Sequence, residues 1–448
     1  MGERTPTRIV IVGGGFGGVY TALELQRLLR RDRDVEVTIV SRDNFLLFTP
    51  MLHEVAASDL DVTHIVNPVR KLLPRVRFFD GDVAAVDLVK RTVVVAHGAD
   101  AHTHDLPYDH LVVALGSVTN FFGIPGLAER ALTMKSLGDA IALRNRMIAL
   151  LEEADTECST AVRARLLTFV VAGAGFAGVE TAAAMNDFVR EAVRFYPNVA
   201  PETIRMVLVH PDEVVLPELS PSLGRYAQRK LAARGVEVHG RTKVTAIADA
   251  AVGLSDGTIV PASTVVWTAG TTPSPLVATL PCTKQRGRLC VNDRLQVEGW
   301  PGVWALGDCA LVPDGTTGRF HPPTAQHAIR EGRCVARNIV ATLRGRPMRS
   351  FAFRTIGQLA SLGRRTGVAQ ILGVNFSGFV AWWLWRTIYL AKLPRLEKKV
   401  RVALDWTLDL VFSKDLAKFV IATGATVSHP EPRRDEPLLS SVSSAAPV

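Results

Sequence analysis

Twice in this chain an apolar run turns through closely spaced glycines into a helical pattern, and no other feature constrains the fold as strongly. The first stretch is Arg8-Ile-Val-Ile-Val-Gly13-Gly14-Gly15-Phe16-Gly17-Gly18 and the second is Leu167-Thr-Phe-Val-Val-Ala172-Gly173-Ala-Gly175-Phe176-Ala177-Gly178-Val-Glu180. Both read as strand, tight turn, helix. In each Gly-x-Gly-x-x-Gly the first glycine (Gly13, Gly173) permits the turn and the second (Gly15, Gly175) lets a pyrophosphate approach the backbone. The third (Gly18, Gly178) lets helix and strand pack closely, with the phosphates at the positive end of the helix. One such turn is often just a glycine-rich loop without a ligand; two in the same context predict an α/β chain with two Rossmann-like domains and two dinucleotides.

A third element narrows the choice of ligand. Val303-Trp-Ala-Leu-Gly307-Asp308 is a short apolar strand ending in an aspartate that can accept a hydrogen bond from a ribityl hydroxyl. With this element the chain resembles the two-dinucleotide flavoprotein reductases, and most closely the type II NADH dehydrogenases, the single-subunit NADH:quinone oxidoreductases, from about residue 8 to about 412. The resemblance implies non-covalent FAD on the first unit and NADH, or NADPH, on the second. It implies hydride transfer to the flavin, then two electrons to a membrane quinone in a respiratory chain, without proton pumping.

The same resemblance assigns roles along the chain. Ser41 and Arg42 end the second strand, where an acid usually holds the adenosine ribose; Thr49 and Pro50 run beneath the flavin ring, with Thr49 where many relatives carry glutamine. Val83 matches a backbone contact to adenine, and Ala114-Leu115-Gly116 matches an Ala-Thr-Gly strand end. His210 stands where NADH users commonly carry an acid, and Ala269-Gly270 closes beside the nicotinamide. Ala325, Gln326 and Glu331 fall in a helix start similar to the family's Ala-Gln-x-Ala-x-Gln/Glu quinone motif, with Arg330 in place of the second glutamine. Glu180 points at the junction of nicotinamide and flavin, to orient NADH or to relay protons towards quinone, or else it is a helix-dipole acid with no chemical role.

At 448 residues with 48% hydrophobic side chains, the chain is expected to form two or three domains. Residues 1–135 and 295–345 are the expected FAD-binding domain, 136–294 the NAD(P)H-binding domain, 346–427 a membrane-anchoring region and 428–448 a disordered tail. Val76–Asp80, Asp82–Val86 and Thr92–Ala96 read as an antiparallel appendage. Leu231–Val238, Lys243–Ala248 and Thr264–Ala269 read as the remaining strands of the second unit. No charged-then-apolar leader precedes the first strand, so a cytoplasmic placement is expected.

The five cysteines, Cys158, Cys282, Cys290, Cys309 and Cys334, include no C-x-x-C or C-x₄-C pair, so neither a redox disulfide nor an iron–sulfur cluster is spelled out and no metal is expected. A sulfide:quinone oxidoreductase would need cysteines about the flavin, with Cys158 and Cys334 as candidates, and a low-turnover flavin-bearing scaffold or redox sensor is the alternative from another class. The net charge of +9 fits nucleic acid, anionic lipid or neither. Past residue 349, Leu359–Arg365 and Gly367–Gly373 read as a hairpin, followed by a helix from Phe376 with Trp382, Trp383 and Trp385. A second helix after Pro394 carries Lys398, Lys399 and Arg401. Basic residues among large apolar ones argue against nucleic acid and for a peripheral anchor on the cytoplasmic face of an anionic membrane, compatible with a homodimer.

Overall fold

The computed structural model describes residues 6–98 and 100–419. The apolar run before the first glycine turn forms a strand, Thr7–Val12, whose Ile9 to Val12 are almost wholly shielded from water. A strand buried on both faces belongs at the centre of a parallel sheet, and this one pairs in parallel with Val35–Ser41 on one side and His110–Val113 on the other. Val303–Ala305 joins from far along the chain, completing the order 303–305, 110–113, 7–12, 35–41, 77–80.

Arg77–Asp80 closes that sheet as a parallel neighbour of Val35–Ser41, so it does not begin the appendage as its spacing suggests. Phe78 buries beside Ile39, and burial rather than alternation decides the pairing. The antiparallel appendage is instead Asp82–Asp87, Thr92–His97 and His102–Pro107.

The second glycine turn follows Thr168–Ala172, the middle of a parallel sheet ordered 132–133, 264–267, 168–172, 205–209, 236–239. Leu231 lies in the helix Pro221–Ala233, and only Val236–His239 is strand. Val244–Ala248 leaves the parallel sheet for a three-stranded antiparallel one with Ala251–Leu254 and Ile259–Pro261. The helix Leu137–Thr156 leads into this unit. Its start is fixed reciprocally: the Asp139 amide donates to Ser136 Oγ (3.1 Å) and the Ser136 amide donates to Asp139 Oδ2 (3.0 Å), a capping box.

The helix Ala325–Leu343 returns to the first unit and packs against Phe16–Leu28. The approach is close enough that a side chain at Gly332 would lie 2.6 Å from the Gly17 carbonyl oxygen.

The C-terminal region opens on an antiparallel sheet of Gly357–Ser361, Gly367–Ile371 and Val374–Gly378. The expected hairpin is present, but Phe376–Gly378 is its third strand rather than the start of a helix. Gly378, at φ +72°, reverses the chain into the helix Phe379–Lys392, and Leu396–Leu408 follows Pro394. Among the described residues no helix is long and apolar enough to cross a membrane. Trp385 and Lys398, expected on an outward face, point inward: Trp385 is fully buried and Lys398 Nζ donates to the Thr63 carbonyl (2.6 Å). The disordered tail expected over 428–448 and the last residues of the 346–427 region lie outside the described residues.

Candidate active site

At the first turn Gly13 has φ +113°, and a Cβ there would lie 2.2 Å from the Ala114 carbonyl oxygen. A Cβ on Gly18 would lie 1.9 Å from the Gly13 carbonyl oxygen. Gly15 is different: nothing approaches its Cβ position within 4 Å, and it is the N-cap of the Phe16–Leu28 helix with no side chain capping it. Backbone donors at the positive end of a helix therefore face open space, which is the cradle a phosphate needs. The second turn repeats the backbone arrangement, except that a Cβ on Gly175 would lie 3.3 Å from Glu218 Oε1. Gly173 (φ +102°) presses on the Ala269 backbone, and a Cβ on Gly178 would sit 1.7 Å from the Gly173 carbonyl oxygen. Gly175 is the uncapped N-cap of Phe176–Ala192.

Three cavities meet around Thr49 and Pro50. A cavity of about 200 Å³ runs along the first turn between Gly15, Gly17, Ala114, Gly116, Gly307 and Asp308. A second, of about 500 Å³, is walled by Thr49, Pro50, Ala177, Glu180, Gly270 and Asp308 and lies against the second unit. A third, of about 520 Å³, opens between the Ala325–Leu343 helix and the C-terminal region, with Ala325, Gln326, Ile329, Tyr389 and Lys392 in its walls. Pro50, Phe176, Leu359 and Tyr389 are shared by the two larger cavities, and Phe16 and Ala325 by the first and third.

Asp308 borders both the first and second cavities. Its Oδ2 accepts from Ser117 Oγ (2.7 Å), which in turn accepts from Lys135 Nζ (3.2 Å), so a cation at the rim stands one hydroxyl away from the carboxylate. Gln326 donates through Nε2 to the Gly357 carbonyl (3.3 Å), tying the helix start to the C-terminal sheet. Arg330 donates to the Gln326 carbonyl and lies 4.0 Å over the Phe353 ring, at the edge of the third cavity.

Glu331 does not face that cavity. Its carboxylate is buried and Oε2 accepts from the Gly307 amide (2.7 Å), so it pins the Gly307–Asp308 turn. The i+5 offset from Gln326 rotates it to the other side of the helix, which a linear motif conceals. His210 also differs from expectation. It is buried against the glycine turn, its Nδ1 accepting from the Ala174 amide (3.2 Å), which leaves the ring proton on Nε2, 3.2 Å from the Asp212 carboxylate. Burial holds its pKa below the ordinary value, and the neutral ring shapes the turn rather than extending towards a ribose. Ser41 packs on Gly14 and accepts from the Asp43 amide, while Arg42 is exposed, 3.8 Å from Asp82. Val83 packs, half-buried, on the first core, and Leu115 does the same at the strand end.

Glu180, on the first turns of the second glycine helix, has partners that sequence reasoning missed. Its Oε1 accepts from the Ser361 amide (3.0 Å) and from Trp385 Nε1 (2.9 Å), while Oε2 lies 3.8 Å from His53 Nδ1. Burial pushes the Glu180 carboxyl up to about 8 and holds His53 down at about 3. At neutral pH this contact therefore joins two uncharged groups and is not an ion pair. No local pattern marks Trp385 or Ser361 as partners of Glu180; His53 follows Pro50 by three residues, in the stretch expected beneath the flavin ring, and its burial gives it meaning.

Four carboxyls are shifted upward by burial: Glu54 and Glu180 to about 8, Glu331 to about 7, and Asp59 above its ordinary value. A raised folded-state pKa means that folding takes up a proton, so the glutamates' contribution is fully present below pH 4.5 and is lost as pH rises towards 8. Histidines held low by burial, His53 among them, act in the opposite sense below pH 6.5, so we expect thermal stability to fall between about pH 6.5 and 8, and Glu180→Gln, which cannot deprotonate, to lessen the fall. Calorimetric scans of both proteins over a pH series check this; equal slopes contradict it.

Cys158 is exposed beyond the Leu137–Thr156 helix, and Cys334 lies in a separate cavity of about 380 Å³ with its thiol pushed up to about 11 by burial. Neither lines the three cavities around Thr49 and Pro50.

Residues 7–332 match the pyridine nucleotide-disulphide oxidoreductase family, and residues 356–415 match the NDH2 C-terminal domain. The type II NADH:quinone oxidoreductase Ndh of Mycobacterium tuberculosis is 33% identical, the alignment covering 91% of this chain and 89% of that protein. The demethylphylloquinone reductase NdbB of Synechocystis is 34% identical over 89% of this chain and 95% of that one. In three dimensions the structure of NDH2 from Plasmodium falciparum in complex with NADH superposes with a TM-score of 0.86 at 18% identity, covering 93% of this chain and all of that one.

Proposed function

The chain belongs to the pyridine nucleotide-disulphide oxidoreductase family and, within it, to the type II NADH:quinone oxidoreductases, and from that premise we propose that it passes two electrons from NADH through FAD to a membrane quinone. The observation that carries the proposal is the meeting of three cavities on Thr49–Pro50, one at each glycine turn and one opening towards the C-terminal region. FAD held there would supply the redox chemistry between NADH and the acceptor.

The chain's own residues bind, position and hold protons. We assign 1–135 and 295–345 to the FAD unit, 136–294 to the NADH unit and 346–427 to the acceptor and membrane side. Gly13, Gly15, Gly18 and the Ala114–Gly116 strand end would hold FAD's phosphates and Asp308 its ribityl chain, with Thr49, Pro50 and Ala325 about its ring. Gly173, Gly175, Gly178, Ala269 and Gly270 would hold NADH. Glu331 acts through Gly307, as a positioning residue. Glu180, kept protonated at neutral pH by burial, offers a proton at the second cavity. Gln326 and Arg330 edge the third cavity, which suits an apolar quinone ring with a polar rim.

Ile329 lines the third cavity and neither of the other two. Ile329→Trp should slow quinone reduction by about tenfold or more while flavin reduction by NADH keeps its rate, measured separately by stopped flow. Equal slowing of both steps would move the quinone elsewhere.

On membrane association we propose a peripheral anchor on the cytoplasmic face. Leu396, Val400, Leu404 and Leu408 form an exposed apolar stripe at i, i+4 spacing, Phe379, Val380 and Trp383 expose a second, and Lys399 and Arg401 flank the first. Each basic residue near an anionic surface contributes on the order of 1 kcal/mol. Deleting the chain from Phe376 onward would remove Trp385 from Glu180, so point changes make the cleaner test. Leu404→Glu with Leu408→Glu should abolish sedimentation with anionic vesicles while leaving flavin bound. Unchanged sedimentation overturns the anchor, and loss of self-association instead would identify a second copy of the chain as the occupant of the stripe.

A further inference from the structure

The appendage beside the first parallel sheet gathers three histidines on one face. His97 and His102 are direct cross-strand partners, and His104 lies two residues along the same strand as His102, so the pleat turns all three side chains the same way. One nitrogen from each lies within 4.8 Å of the others. His104 Nε2 is 2.7 Å from His97 Nε2, and those rings stack at 4.7 Å with planes 21° apart. His102 stands edge-on to both, with centroids 5.5 Å from His97 and 4.8 Å from His104. Phe79, from the neighbouring parallel strand, closes the other side, its ring edge-on to His97 and His104 at 5.9 and 5.5 Å.

Three imidazoles gathered so closely repel one another when protonated and gain little from one another when neutral, beyond the single proton that His97 and His104 can share. A cation with affinity for neutral imidazole resolves this. Nitrogen donors suit zinc and its transition-metal neighbours, whereas calcium and magnesium take oxygen ligands. Zinc–nitrogen bonds of about 2.0–2.1 Å are within reach of small ring rotations from the present spacing. No acidic or thiol side chain joins the group among the described residues.

We propose that His97, His102 and His104 form a binding site for a divalent transition metal, zinc being the reference ion, with three imidazole ligands and a fourth position left to water. The site clamps the reversal between Thr92–His97 and His102–Pro107. Through Phe79 it also bears on the strand Arg77–Asp80, whose last residue pairs with Ser41 at the edge of the first sheet. A metal here stiffens the appendage and stands apart from the three cavities around Thr49 and Pro50, none of which is lined by His97, His102 or His104. It stands independently of the function proposed above.

The test uses the full-length, flavin-loaded chain without an affinity tag. After chelator treatment and desalting, the protein is titrated with zinc against a chromophoric zinc indicator. The expected result is one equivalent taken up in competition with the indicator. In His104→Gln the affinity should fall by at least the roughly 10–100-fold that loss of an outer-shell partner costs in other metal sites. The double change His97→Gln with His104→Gln should abolish that equivalent and the accompanying rise in Tm, with flavin content and its reduction by NADH unchanged. No uptake by the starting protein overturns the proposal, and so does uptake of equal strength by the double variant, which would place the zinc elsewhere.

Discussion

Asp308→Ala should purify largely free of flavin. Asp308 borders two cavities and already accepts from Ser117, with Lys135 behind that hydroxyl, so its charge is both fixed and balanced. Losing the acceptor leaves a ribityl hydroxyl unpaired in a site sheltered from water, at a cost of about 1.5–3 kcal/mol, or roughly 10- to 150-fold in affinity. Lys135 also loses the charge that favours its protonated form, since Asp308 opposes the desolvation that lowers its pKa. The ratio of flavin to protein absorbance after purification and dialysis measures the effect. Flavin retained at the starting affinity would remove Asp308 from the site. Glu331→Gln makes a useful companion, because an amide oxygen can still accept from the Gly307 amide and flavin should then be largely kept.

Trp385→Ala should be the most destabilising single change in the C-terminal region. The indole is fully buried, touches Tyr389, Trp406 and His53 edge-on or tilted, and donates to Glu180. Truncating such a side chain costs about 3–5 kcal/mol through lost burial and the cavity left behind. That is a large share of the roughly 5–15 kcal/mol that holds a typical domain together. Trp385→Phe separates packing from hydrogen bonding: most of the volume stays, but Glu180 loses one of two donors to its carboxylate, so its pKa should climb further. The alkaline limb of the quinone-reduction pH profile should then move up with Trp385→Phe and vanish with Glu180→Gln. Denaturant unfolding followed by flavin fluorescence gives the stability, and an unchanged midpoint for Trp385→Ala would contradict the packing described.

What the sequence made legible was carried by backbone requirements. Gly13, Gly18, Gly173 and Gly178 stand where a side chain would collide with main chain, and a turn that admits only glycine announces itself in any sequence. The apolar strands ahead of them are equally plain, because strands buried on both faces read as unbroken hydrophobic runs. Legibility ended where meaning depends on distant partners. Trp385 lies 205 positions from Glu180, and as one of three tryptophans in a very apolar helix it reads as a membrane residue until its neighbours are known. Glu331 sits in the expected motif, but helical rotation decides which way it faces. His210 ends the expected strand, yet its Nδ1 is taken by the amide of Ala174. Arg77–Asp80, four residues with two adjacent phenylalanines, is too short to tell a hairpin strand from the edge of a parallel sheet until its partner is known.

We propose that one bound flavin serves both partners, reduced from the side of the second glycine turn and reoxidised from the cavity at Gln326. Anaerobic double-mixing stopped flow tests it most directly: the protein is mixed with one equivalent of NADH, then with a water-soluble quinone, while flavin absorbance is followed. The account predicts rapid bleaching by NADH and rapid return of the full oxidised spectrum with quinone. Flavin that NADH leaves oxidised, or reduced flavin that quinone fails to reoxidise, would contradict it.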